Sequence, residues 1–356
     1  MIISELELLN FRNHKNVNVI FTSGLNVIVG ENGIGKTNIV EAIDFLGFAK
    51  SFRTNESLPL IKEGEQKAII NAQVHTPSRT HIEIEVMPRH KVVRVNNKTV
   101  GRLSALSKYV RVTTFQPADV FFFDESPQNR RRFIDTTLAK SDEDYLATLI
   151  NYERLLKERN AALKLENNDD VISVIDEPFV QNALELVKRR EKFVRELSRV
   201  VNETLQKLTN EKLYVQLSYK ATLGAGGTTP QSALGTIKRN REREKVLQTT
   251  TVGPHRDDLN ATLNGKTVKT HASQGQKRMI AIALKLAPYF MEKQEHRRPI
   301  IVLDDVLSEL DETHRERLLT LLLACQQVFV TATEYTNHAH SIYEIDRAGI
   351  KRRTST

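Results

Sequence analysis

The stretch "GLNVIVGENGIGKTNIVEAI" constrains this chain more than any other. An apolar run ends at Gly30, and the pattern G-x-x-x-x-G-K-T follows over residues 30–37, ahead of a segment compatible with a helix. Strand, glycine-rich loop and helix in that order are the phosphate loop, which commits this part of the chain to an α/β architecture. Gly33 and Gly35 let backbone amides close around phosphates. Lys36 reaches the β- and γ-phosphates as a point charge, and the Thr37 hydroxyl takes a Mg²⁺ position. Gly30, Glu31, Asn32, Gly33, Ile34, Gly35, Lys36, Thr37 and Asn38 are the candidate ATP-binding residues of this loop.

Such a loop needs carboxylates, and "RPIIVLDDVLSELD" supplies them. Ile300–Leu303 reads as a buried strand, and Asp304 ends it where a metal-holding aspartate belongs. Asp305 comes next. Neighbours on a strand face opposite ways, so Asp304 can serve Mg²⁺ while Asp305 polarises the attacking water. The plainer alternative is an aspartate pair capping a loop. A further segment, "SQGQKR", opens a helix. Ser273 and Gln276 make a capping box, which accounts for those two residues alone. Gly275 weakens a first turn, and Lys277 and Arg278 sit badly at the positive end of the helix dipole. An anion is therefore expected there.

The chain has 356 residues and a net charge of +8. With a pI of about 9.4 it suits a polyanionic partner, although surplus lysine also simply solubilises. Cys325 is the only cysteine, so no disulfide forms within the chain, and a cytoplasmic protein with a buried thiol is expected. "MIISELELLNF" carries two glutamates and no basic region, unlike a signal peptide. The longest leucine-rich run, residues 318–324, is far too short to span a membrane.

Periodicity divides the rest. "HIEIEVMPRHKVVRVNNKTV" alternates on both sides of a turn, as a hairpin does. Leu146, Leu149, Tyr152, Leu156 and Leu163 recur at helical spacing. Val180, Leu184, Val187, Val194, Leu197, Val201, Leu205 and Leu208 form a second stripe, roughly 30 residues or about 45 Å of helix. "LENNDDVISVIDEP" between them reads as a polar turn. "GAGGTTP" reads as a flexible linker, and Asn264-Gly265 as a hairpin turn. Strands are expected at Ile300–Leu303 and at residues 328–331. This predicts a discontinuous head from residues 1–118 and 250–356, with an inserted helical arm over 119–249.

A phosphate loop near the N-terminus, a Ser-x-Gly-Gln helix start far downstream, then the aspartate pair and "SELD" follow the order of an ABC-type ATPase head. The chain further resembles the RecF family, related to the heads of SMC and Rad50 proteins. The likeness spans nearly the whole length. It rests on "LNFRNH", "KSFRT", "FQPADV", "SPQNRRRFID", "TVGPHRDDL", "SQGQKR" and "VLDDVLSELD". It implies a mixed β-sheet with helices plus an antiparallel β-subdomain and a helical arm. It also implies an ATP-driven homodimer, in which Ser273, Gln274, Gly275 and Gln276 reach the nucleotide of the second copy. Hydrolysis would be slow and would act as a switch. RecF proteins act with RecR and RecO at gapped DNA and help load RecA, so DNA and those proteins are the implied partners, with ATP and Mg²⁺ as cofactors. The resemblance places Arg12 and Asn13 at nucleotide, against a plain strand-end role. It makes Gln116 a Q-loop residue touching Mg²⁺ or water, against an incidental glutamine.

The chain departs from ABC heads in two places. Thr331 and Thr333 stand where a histidine is usual, and the signature is "SQGQ" rather than "SGGQ". His255 and Arg256, beside Asp257 and Asp258, read as a self-paired hinge between arm and head, with direct catalysis as the alternative. Three basic clusters are candidates for DNA: Arg130, Arg131 and Arg132; Lys188, Arg189 and Arg190 with Lys192; Lys238 and Arg239 with Arg241 and Arg243. Each has an ordinary solvated face as its alternative, and few aromatics interleave them. Sequence-blind contact to duplex phosphates is therefore favoured over base stacking. The competing function is the ATPase subunit of a membrane transporter, which shares the core motifs but does not expect a basic helical arm.

Overall fold

Apolar runs without alternation and strictly alternating runs end in different sheets. The structure, a computed structural model, describes residues 1–101, 103–165, 169–224, 226–334, 339–346 and 349–353. It opens with β1 (Ile2–Phe11), β2 (His14–Ile20), β3 (Gly24–Val29), α1 (Lys36–Phe48), β4 (Ala68–Thr76), β5 (Ser78–Val86), β6 (Lys91–Val95), β7 (Lys98–Thr99) and β8 (Val112–Phe115). Next come α2 (Pro127–Ser141), α3 (Glu143–Ala162), α4 (Asp169–Leu208), β9 (Val215–Lys220), α5 (Pro230–Leu247), β10 (Asp258–Leu263), β11 (Lys266–Thr267) and α6 (Val268–His271). The chain closes with α7 (Gln274–Met291), β12 (Ile300–Leu303), α8 (Glu312–Leu323), β13 (Gln327–Ala332), β14 (Ser341–Asp346) and β15 (Gly349–Arg352).

One compact unit comprises Met1–Val120, Glu203–Lys212 and Arg278–Thr356. Its first sheet has the order β15-β14-β3-β13-β12-β8, parallel except for the edge strand β15. Every residue of β12 and β13 is buried, as parallel strands covered on both faces must be. The second sheet, β2-β1-β4-β5-β6-β7, is antiparallel and alternates. Its inward residues, among them Ile70, Val74, Ile82 and Ile84, share a core with Ile39, Ile43 and Phe45 of α1. The helix that follows the phosphate loop is thereby anchored on its apolar side.

The other unit comprises Phe121–Asn202 and Leu213–Lys277. Its core joins Tyr145, Tyr152 and Leu155 of α3 to Phe179, Val180, Ala183 and Leu186 of α4 and to Ala233 and Ile237 of α5. Arg159, fully buried, donates to Asp176 at 2.8 Å and pairs with Glu244 at 2.7 Å. Such a charge is tolerated because it is paired on both sides.

The compact units divide the chain differently from the predicted 119–249 arm. Residues 250–277 lie with the helices because β10 pairs with β9 along its whole length, and β11 extends that sheet. Strand pairing across this separation leaves no local signature. α4 also begins earlier than its apolar stripe and runs through "VISVIDEP", with Pro178 inside it. The carbonyl that loses its donor to the proline belongs to Val174, a residue 75% exposed, while Ile172 and Phe179 are buried. "GAGGTTP" is no linker between units. Gly224 (φ +91) lies against Leu184, and Thr229 caps α5 by accepting the Ser232 N–H. "RNRERE" belongs to α5. Parts of the two loops, residues 166–168 and 225, lie outside the described residues. Both expected hairpins form, with Asn264 and Gly265 at positive φ between β10 and β11.

Candidate functional site

α1 starts at Lys36 with Gly35 before it in the left-handed region (φ +116), and no side chain caps it. The amides of its first turn stay available to an anion. The two loop glycines do different work. Gly33 (φ +81) has open space where a Cβ would stand, leaving bare backbone for a phosphate. At Gly35 a Cβ would lie 2.7 Å from His14 Nε2 and 2.8 Å from Asn13 Nδ2, because the β1–β2 turn presses on the loop. Asn13 donates to the Ile34 carbonyl at 3.0 Å and accepts from Asn38 at 2.7 Å. His14 meets the Gly35 carbonyl at 3.2 Å, and burial pushes its pKa down, so the neutral ring donates Nε2–H. Lys36 folds over the loop onto the carbonyls of Gly30 (2.5 Å) and Glu31 (2.9 Å), within 3.5 Å of Asn32 Oδ1. Burial lowers its pKa, and Asp305 and Asp304 draw it back up.

β13 lies between β3 and β12, so its end stands between the loop and the aspartates. The Thr37 hydroxyl donates to Asp304 Oδ1 at 3.0 Å, and the Thr331 hydroxyl donates to the same oxygen at 2.8 Å. Asp304 is buried, which raises its pKa against the two hydroxyls that lower it. Asp305 is exposed, and its backbone is left-handed (φ +51). Its N–H donates to Thr331 Oγ1 at 2.8 Å, and its carboxylate accepts from Ser308 at 3.0 Å. The two aspartates do have separate surroundings, but a left-handed turn separates them rather than a continued strand. Gln116 follows β8, where the Phe115 carbonyl accepts the Asp304 N–H at 3.0 Å. It stands at the strand end next to Asp304, with its own N–H turned to Asp119 at 2.9 Å.

Three expectations change here. The Arg12 guanidinium is taken by Glu41, through Nε at 2.8 Å and Nη2 at 2.5 Å, and by the Pro59 carbonyl at 2.8 Å. Glu41 is fully buried and also accepts from Ser51, so without Arg12 its only remaining cation among the described residues would be the exposed Arg53, at 3.5 Å. A lone glutamate inside the apolar helix "IVEAIDFLGF" was the signal for this anchor. Next, Lys277 and Arg278 await no anion. Lys277 pairs with Asp124 at 3.0 Å and Arg278 with Glu309 at 2.5 Å. The capping box is real, with Gln276 N–H to Ser273 Oγ at 3.2 Å and the reciprocal bond at 3.0 Å. What remains unexplained by the helix itself is that Ser273, Gln274 and Gly275 are exposed and that nothing stands within 4 Å of a Cβ at Gly275. Finally, "GPHRDD" is not self-paired. Asp257 accepts from Tyr219 and Thr222, Asp258 binds Arg130, and His255 meets Tyr152 at 2.6 Å, all within one unit.

The model of the RecF/RecN/SMC N terminal domain family matches residues 2–349. The DNA replication and repair protein RecF of Halalkalibacterium halodurans is 35% identical over 370 residues, covering 99% of this chain and 100% of its own length. This chain belongs to the RecF family. The RecF of Clostridium perfringens is 33% identical over 337 residues, 94% of this chain and 93% of its own. A solved RecF–ATP structure, of the recombination mediator protein in the RecFOR pathway, matches with a TM-score of 0.90 at 26% identity, covering 99% of both chains. The ABC-type RecF head expected from the sequence is thus the fold observed. The transporter reading falls with that membership. No helix among the described residues is long and apolar enough to cross a membrane.

In this RecF chain the basic clusters break up. Arg130 is buried and grips Asp258 through Nε at 2.7 Å and Nη2 at 2.9 Å. Arg190, 2% exposed, binds Tyr145, Tyr219, Pro254 O and Asp135. Neither guanidinium is available to DNA, because each neutralises a carboxylate inside the fold. Arg131 donates to the Asp257 carbonyl and Arg189 pairs with Glu185 and Asp142. Arg132, Lys188, Lys238 and Arg239 are exposed. A sequence run of cations does not tell which of them face inward. Three consecutive residues on a helix fan out over about 200°, so the members of "RRR" meet different surroundings.

Proposed function

We propose that this RecF chain is an ATP-operated, DNA-binding repair protein that closes as a homodimer. One observation carries the reading. Lys36, Thr37 and Asp304 converge beside the glycine-rich loop in one compact unit, while the exposed Ser273–Gly275 helix start belongs to the other. A glycine in an open first turn weakens the helix by about 0.5–1 kcal/mol with no return inside the chain. A second copy's γ-phosphate gives it a use.

The residues fit ATP. The bare backbone at Gly33 and the uncapped start of α1 bind phosphates, and Lys36 neutralises them. Thr37 and Asp304 would hold Mg²⁺, which would supply positive charge at the phosphates. Asp305, exposed beside them, orients water, and Gln116 assists from the end of β8. Asn13 and Asn38 keep the loop in shape rather than contacting phosphate. On DNA, Arg132, Lys188, Lys238 and Arg239 supply phosphate contacts. The closed dimer acts at gapped duplex with RecR and RecO to promote RecA loading, and slow hydrolysis reopens it.

Molecular mass in solution tests this, measured with no nucleotide, ADP, and a non-hydrolysable ATP analogue, each with and without gapped duplex. The mass doubles only with the ATP analogue, and Ser273→Arg binds nucleotide yet stays single. A Ser273→Arg chain that pairs normally reduces the helix start to a cap. DNA retention unchanged in Lys36→Met would remove the phosphate-loop assignment.

A further inference from the structure

Thr331 is the one polar side chain among the five buried residues from Val328 to Ala332, and it is 1% exposed. The sheet does not need its hydroxyl. Valine has the same shape and suits a buried parallel strand, and burying a hydroxyl costs unless it is bonded. Both of its bonds leave the strand for the aspartate pair. The Asp305 N–H can only donate, so Thr331 Oγ1 accepts it at 2.8 Å and must direct its single proton to Asp304 Oδ1 at 2.8 Å. That bond and the Thr37 bond meet on one carboxylate oxygen. The Asp305 bond holds a non-glycine residue in left-handed backbone, a conformation that costs energy unless its surroundings impose it.

We propose that Thr331 is a positioning residue for ATP hydrolysis. One hydroxyl sets Asp304 toward the metal and Asp305 toward the water, so the two acids are placed by a single atom. This rests on the ATPase reading above. It assigns a task to the strand end where ABC heads usually carry a histidine, and the task is performed on the aspartates rather than on phosphate.

The test compares wild type with Thr331→Val, Thr331→Ser and Lys36→Met. ATP turnover is followed across a Mg²⁺ series. Mn²⁺ binding in the presence of ADP is followed separately by electron paramagnetic resonance. A lost hydrogen bond to a charged group corresponds to roughly ten- to a hundredfold. Thr331→Val is expected to bind metal-free ADP as wild type does, to need at least roughly tenfold more Mn²⁺, and to lose at least about tenfold in kcat with little change in nucleotide KM. Thr331→Ser restores both to within about threefold, because the hydroxyl returns. If valine does not fold, Thr331→Ala against Thr331→Ser carries the same contrast, since both lack the methyl. Equal Mn²⁺ affinity and equal kcat with and without the hydroxyl overturn the proposal. Wild type no faster than Lys36→Met would instead defeat the ATPase reading, and the Mn²⁺ comparison still decides whether Thr331 sets the acids.

Discussion

Replacing Arg190 with alanine separates a structural charge from a DNA contact. The guanidinium is 2% exposed and bonds to Tyr145 Oη at 3.0 Å, Tyr219 Oη at 2.9 Å, Pro254 O at 2.8 Å and Asp135 at 2.8 Å. Alanine leaves the Asp135 carboxylate without its cation and takes one bond each from the Pro254 carbonyl and the Tyr145 and Tyr219 hydroxyls, which still donate to Asp135 and Asp257. Breaking a buried pair from one side costs about 3–5 kcal/mol. At a urea slope of about 1–3 kcal/mol per molar, the midpoint falls by at least about 1 M. Lys188, two residues earlier and exposed, serves as the control, since a surface change there stays within about 0.5 kcal/mol. Urea unfolding followed by circular dichroism, with duplex binding measured on the same samples, gives both numbers. An Arg190→Ala protein that unfolds like wild type but no longer binds DNA would refute the assignment of Arg190 to the interior.

Other outcomes follow from the same geometry. Burial pushes the His255 pKa down to about 4, and because Nε2 donates to the Thr250 carbonyl, Nδ1 accepts from Tyr152. The unfolded chain therefore binds the proton more readily, so this contribution is present above about pH 6.5 and is lost as pH falls toward 4. His255→Gln should flatten that part of a stability–pH curve, and an unchanged slope would count against it. Gly35→Ala, at φ +116 and against His14 and Asn13, is expected to weaken nucleotide binding by more than about tenfold and to cost more apo stability than Gly33→Ala, which meets no neighbour but is strained by its φ of +81. Nucleotide titration against thermal unfolding separates the two. Asp305→Asn is expected to retain ATP binding and accumulate closed dimer, and a variant that turns over normally removes Asp305 from catalysis. If about six phosphates are neutralised, DNA affinity falls on the order of a thousandfold between 50 and 200 mM salt, and Lys238→Ala lowers the slope by about one.

Several features were readable from the chain itself because their causes are local. The phosphate loop needs glycines and a lysine at fixed spacing, whatever lies around it. Asn264-Gly265 accepts the positive φ of a tight hairpin, and the apolar runs before Gly30 and Asp304 could only be buried strands. The likeness to RecF was legible in short motifs for the same reason. Other features depend on which distant residue arrives opposite. Arg130, Arg131 and Arg132 are alike in sequence, and only the approach of Asp258 decides that the first is interior. The pairing of β10 with β9 moves residues 250–277 into the helical unit, and nothing in either strand announces it. Thr331 looked like a missing histidine until the order β3-β13-β12 set its hydroxyl between two aspartates. Local propensity is written in neighbouring residues, whereas charge compensation and strand order are settled by contacts that exist only once the chain has folded.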